Sequence, residues 1–215
     1  MMPMNQEQQL TDYLVKRYNP LAVLIHGSRA SGYAREHSDW DFAILVDKDT
    51  DVEREIIDGA NLEIRVLKLP FEEQKIIADK WLALRKGNIK VVHDPQNVAE
   101  PIIEKITEYY NKPIEWTHAE IFGHKAWYRS HVDGMIDYQN DHLAFYRKLG
   151  ELYTRSIMYW FHYLHNEYMP QVYLSLPRIE KEDPEHYELL KILAGNGTNQ
   201  EKIEAAEQIY QRIWK

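Results

Sequence analysis

Residues Leu24–Val46 read LIHGSRASGYAREHSDWDFAILV, and this stretch decides the fold. It opens inside a short apolar run, Leu21–His26, which predicts a buried strand. Gly27 follows, a residue that permits a tight turn and a close approach of backbone to a ligand. Ser28 then opens a short helix, where unpaired N–H groups favour an anion such as phosphate. Past the polar loop comes Asp39-Trp40-Asp41, at the head of a second apolar run, Trp40–Val46. On a strand, residues i and i+2 share a face. Asp39 and Asp41 therefore point together, with Trp40 and Phe42 on the other side. Two adjacent carboxylates repel each other, and hard oxygen donors in that arrangement suit Mg²⁺.

Outward from this stretch, residues 5–18 carry a helical pattern closed by Asn19-Pro20. Leu62–Leu69 predicts a third strand with Glu63 and Arg65 on one face and Leu62, Ile64 and Val66 on the other. Glu63 is a candidate third carboxylate for two metal ions; a plain Glu63–Arg65 ion pair is the bland alternative. Asn88–His93 predicts a fourth strand ending at Asp94-Pro95. Residues 71–86 predict an amphipathic helix, and 50–60 fit either a helix or an added strand. From residue 98 onward the pattern is helical: 98–111, 116–139, 142–168, 185–195 and 199–213, with Pro170 and Pro177 bracketing an irregular link. Strands with helices followed by helices alone predict an α+β chain. Its expected domains are 1–97, which would bind NTP and metal, and 98–215, a helical domain for acceptor binding or dimerisation.

The segment resembles the signature of the DNA polymerase β-like nucleotidyltransferase superfamily: strand, Gly27-Ser28, about ten residues, then Asp39-x-Asp41. The wording Ser38-Asp39-x-Asp41 is similar to the small bacterial branch that includes aminoglycoside and minimal nucleotidyltransferases. Glu63 stands where that family more often has Asp. The Asn88–Pro95 stretch also looks like the closing strand and turn of such enzymes. The resemblance implies that Gly27, Ser28 and Arg29 bind the nucleotide. It implies that Asp39, Asp41 and Glu63 hold two Mg²⁺ ions and form the catalytic set. The reaction it implies moves an NMP, with AMP the first choice, from NTP (ATP first) to an acceptor hydroxyl.

Composition narrows the acceptor. The chain of 215 residues is 44% hydrophobic and 12% aromatic, too apolar for a disordered chain. It has no cysteine, which excludes disulfides and thiolate chemistry. No apolar run approaches the ~20 residues of a membrane helix, and no signal-like segment opens the chain. A soluble, cytoplasmic protein is the expectation. The net charge is −8, with 13 basic and 16 acidic residues through Asp94 and 13 and 18 after it. Neither half is basic, so duplex nucleic acid is not an expected partner. An aminoglycoside-like small molecule is the first choice of acceptor, and a protein or RNA end the second. A non-catalytic or antitoxin-like binding module is the rival class. The apolar helices are compatible with a homodimer.

Other features read more plainly. His118, His124 and His131 share a predicted helix, but their spacing suits surface or hydrogen-bonded roles better than a zinc site. Arg155 and His162 fit a loose Arg-x6-His pattern that resembles the ribonuclease motif of HEPN helical domains; it is common by chance. Glu115, Glu120, Asp133, Asp137 and Asp141 read as a solvated helix face, with an amine-binding surface as the sharper alternative. The aromatic set around Tyr159–Tyr163 reads as bundle core.

Overall fold

A computed structural model describes residues 6–50, 55–57, 59–70, 89–170 and 172–214. The chain forms two compact units, Met1–Tyr110 and Asn111–Lys215. In the first, helix α1 (Gln6–Tyr18) precedes strand β1 (Ala22–His26), the five-residue helix α2 (Gly27–Ser31) and strand β2 (Trp40–Val46). Strands β3 (Glu55–Ile57), β4 (Ala60–Lys68) and β5 (Ile89–His93) follow, then helix α3 (Ala99–Asn111). The sheet order is β3-β4-β2-β1-β5. Strands β2 and β4 run parallel, and the other neighbours are antiparallel.

Central position explains the unbroken apolar runs. All of β1 is buried, and so is β2 apart from half-buried Asp41. One sheet face carries Val23, Ile25, Phe42, Ile44 and Leu62, which pack with Leu10, Leu14 and Tyr18 of α1 in a single apolar cluster. The spacing of those α1 residues places them on one helical stripe. Trp40 and Phe42 stack on this face at 5.9 Å, as alternation predicts. Of the two readings of 50–60, the added strand holds for the described residues Glu55–Ile57, because β3 pairs along the edge of β4. The helix predicted over 71–86 lies outside the described residues.

The second unit contains α4 (His118–Asp137), α5 (His142–Tyr159), a π-helical turn (Trp160–Leu164), α6 (Val172–Glu182), α7 (Pro184–Ala194) and α8 (Asn199–Ile213). Local chemistry sets the starts. Thr117 with Glu120 and Thr198 with Glu201 form capping boxes, while Asp141 and Asp183 cap α5 and α7. Tyr159, Trp160 and Phe161 lie in the bundle core with Tyr128, Phe145 and Ile209.

Two boundaries differ from expectation. The helix predicted over 142–168 changes to the π-helical turn at Trp160 and ends at Leu164. The link expected between Pro170 and Pro177 is instead α6, which runs through Pro177. An interior proline costs a helix ~3 kcal/mol. Burying one isoleucine side chain returns ~1.5–3 kcal/mol, and Ile179 is fully buried in the core. Ser175 also bonds back to the Pro170 carbonyl at 3.0 Å, anchoring the helix start.

Asp183 joins three elements: it accepts from the His186 backbone N–H, from Trp160 Nε1 at 3.1 Å and from Arg212 at 2.8 Å. Asp183→Ala removes a cap and leaves a buried indole N–H unpaired. The expected loss is about 2–4 kcal/mol, read as a lower urea midpoint at unchanged slope.

Candidate active site

The pairing register builds the site. Asp41 of β2 lies opposite His26 of β1 and beside Glu63 of β4. Cross-strand neighbours share a face, so these three side chains form a row on the face away from α1. Asp39 sits two residues before Asp41, at the strand mouth. Carboxylate oxygens of Asp39, Asp41 and Glu63 all lie within 4.8 Å of one another. This is the grouping that alternation on two strands predicts.

Three like charges so close are electrostatically costly. Burial, then Asp39 and then Glu63 push the Asp41 carboxyl up to about 6; Arg65 and Arg29 oppose the rise. Arg65 lies 3.4 Å from Glu63, so the ion pair and the acidic cluster coexist. The donor set is all carboxylate, half-buried and preassembled. Such a set fits a hard divalent cation, and Mg²⁺ is the common one.

Gly27 is needed by geometry. Its φ is +74°, and a Cβ built there would lie 2.1 Å from Asp41 Oδ2. The turn thus lets backbone sit against the carboxylate. Ser28 is half-buried in α2. Arg29 donates through Nε to the Asp39 carbonyl at 2.9 Å and through Nη2 to the Ser38 carbonyl at 2.5 Å. Its guanidinium also lies 4.1 Å from the Trp40 ring centroid. Arg29 therefore ties the start of β2 to the Gly27 turn.

Residues 8–95 match the family model described as Polymerase beta, Nucleotidyltransferase. This segment is a polymerase β-type nucleotidyltransferase domain. Two solved structures align with the chain. A nucleotidyltransferase-like protein from Exiguobacterium sibiricum 255-15 is 10% identical at a TM-score of 0.47, over 96% of this chain and 74% of that one. Spectinomycin adenyltransferase AAD(9) from Enterococcus faecialis, solved with ATP and spectinomycin, is 12% identical at 0.46, over 98% of each chain. No curated protein sequence matches.

Within the nucleotidyltransferase domain, sequence reasoning treats His26 only as the end of a strand. The pairing register shows it to be the neighbour of Asp41. Alternation with Leu24 was the available signal, since a polar residue at a buried strand end shares a face with what lies opposite. In the helical unit, three of the five carboxylates considered for an amine site have structural partners. Glu120 and Asp141 cap helices, and Asp133 pairs with Arg129. His131 bonds to the Trp127 carbonyl and Glu151, and His124 to the Tyr163 hydroxyl. Arg155 is exposed, while half-buried His162 lies against Trp116 at 5.2 Å. No described helix is long and apolar enough to cross a membrane.

Proposed function

We infer that the protein is a magnesium-dependent enzyme that transfers NMP, AMP first, from NTP to a hydroxyl of a small-molecule acceptor. The supporting observation is the Asp39–Asp41–Glu63 cluster within 4.8 Å beside Gly27, inside a nucleotidyltransferase domain. Those three carboxylates would hold two Mg²⁺ ions, which supply charge neutralisation on the triphosphate and a lowered pKa at the acceptor hydroxyl.

The chain's own residues do the rest. Gly27 and Ser28 offer backbone and hydroxyl donors to the β- and γ-phosphates. Arg29 fixes the Asp39 carbonyl and adds positive charge beside them. Glu63 completes the ion site or takes the acceptor proton. The acceptor oxygen bonds to the α-phosphorus as the bond to the bridging oxygen breaks, and pyrophosphate leaves. Such in-line transfer depends on positioning and charge, without a covalent nucleophile. The acidic charge of both halves of the chain favours a cationic acceptor of aminoglycoside type over nucleic acid.

The test is transfer of label from α-³²P-ATP with Mg²⁺ to aminoglycosides, to other polyols and to RNA. Labelled aminoglycoside with equimolar pyrophosphate is the expected outcome. Label on RNA alone would overturn the acceptor assignment, and none on any acceptor would favour a binding module.

A further inference from the structure

His26 is 2% exposed, and neither ring nitrogen has a hydrogen-bond partner. A buried polar group left unpaired is costly, and each such case in a native interior calls for a reason. Its position supplies one. His26, Asp41 and Glu63 occupy one cross-strand row; Leu24, Ala43 and Arg65 form the next row of the same face. His26 thus stands at the β1 end of the carboxylate row, with Arg65 two strands away in the next row. Burial first, then Arg65, hold it neutral, its pKa down to about 4 against the opposing pull of Glu63. A neutral imidazole carries one N–H donor and one bare acceptor nitrogen. Asp41 leans toward β1, since its Oδ2 crowds Gly27, the residue after His26. The cross-strand neighbour of His26 in that row is Asp41, whose carboxylate is not bonded to the ring in the ion-free site.

We propose that His26 is a positioning residue: when a divalent cation binds, its ring N–H, unpartnered in the ion-free site, turns to donate to the Asp41 carboxylate and fixes the orientation in which Asp41 offers oxygen to the ion. This rests on the metal-site reading of Asp39, Asp41 and Glu63. Groups that orient a ligating side chain typically affect metal affinity 10–100-fold. A histidine that merely fills space would behave differently, because an apolar side chain of similar size would serve as well.

The experiment measures Mn²⁺ binding by electron paramagnetic resonance, without nucleotide, and urea stability, for wild type, His26→Leu, His26→Asn and His26→Gln. His26→Leu should fold at least as stably as wild type, having lost an unpaired polar group, yet bind Mn²⁺ about 10–100-fold more weakly. One of the two amide variants, which keep a donor, should come within about threefold of wild type. Wild-type binding that His26→Leu leaves within threefold overturns the role of His26 and spares the metal site. Absence of Mn²⁺ binding to wild type overturns both. Should His26→Leu fail to fold, long-range ¹H–¹⁵N spectra of the ¹⁵N-histidine wild-type protein under Mg²⁺ titration decide. The His26 N–H should become protected and shift as Mg²⁺ binds, and an unchanged His26 signal in a Mg²⁺-bound protein contradicts the proposal.

Discussion

Asp41→Asn is expected to make the metal-free protein more stable above pH 6 and to leave it inert. The wild-type carboxyl is held at about 6 by burial and by Asp39 and Glu63, against an ordinary value of 3.8. The sign follows from linkage. A carboxyl whose folded pKa is raised makes the folded state bind more protons than the unfolded state between about pH 4 and 6. Stability therefore falls as pH rises through that window, and the full penalty is present above pH 6. Asparagine mimics the neutral acid and removes it. Asp41 is only half-buried, so solvent screening reduces the gain to about 1–2 kcal/mol. A divalent cation offsets the same repulsion: at a hundredfold excess over Kd it should stabilise wild type by about 2.7 kcal/mol, and the variant far less. Loss of a ligand that stabilises transition-state charge should cost turnover at least ~10³-fold, about 4 kcal/mol. Asp39→Ala should lose turnover equally and fold normally. Thermal melts from pH 4 to 8, with and without Mg²⁺, check the stability half; pyrophosphate release checks the other. Normal turnover in either variant would contradict the site.

Gly27→Ala should damage both the fold and the site, and Gly32→Ala only the fold. Both glycines have positive φ, +74° and +79°, where an L side chain costs about 1–2 kcal/mol. They differ in surroundings. A Cβ at Gly27 meets Asp41 Oδ2 at 2.1 Å, whereas a Cβ at Gly32 meets nothing within 4 Å. Gly32→Ala should thus lose about 1–2 kcal/mol and keep its Mn²⁺ affinity. Gly27→Ala should lose at least that much and also at least ~10-fold in affinity, because Asp41 must rotate away from its partners. Equal Mn²⁺ binding by the two variants would show that the Gly27–Asp41 contact does not govern the cation site.

Much of this was legible because it rests on short-range rules. Alternation puts Asp39 and Asp41 together and Glu63 with Arg65, and unbroken apolar runs mark β1 and β2 as central. What was not legible depends on pairings that no local pattern encodes. The place of His26 beside Asp41 requires the antiparallel register of β1 and β2. The bonds from Arg29 to the carbonyls of Ser38 and Asp39 cross a polar loop whose path the sequence leaves open. Pro177 reads locally as a breaker, and only the burial of Ile179 in the bundle core explains the helix that runs through it. In the helical unit, the helix starts expected at 116, 142 and 199 lie within two residues of His118, His142 and Asn199, whereas which carboxylates face a ligand was not legible. Glu120, Asp133 and Asp141 turn out to have structural partners.

The most direct test of the central claim is calorimetric titration with the non-hydrolysable α,β-imido analogues of ATP, GTP, CTP and UTP. Each is measured with and without Mg²⁺, for wild type and for the Asp39→Ala/Asp41→Ala double variant. Magnesium-dependent binding, strongest for the ATP analogue and lost in the double variant, is the predicted result. Binding that survives the loss of both aspartates, or no binding of any nucleotide to wild type, would contradict a working donor site at Gly27, Asp39, Asp41 and Glu63.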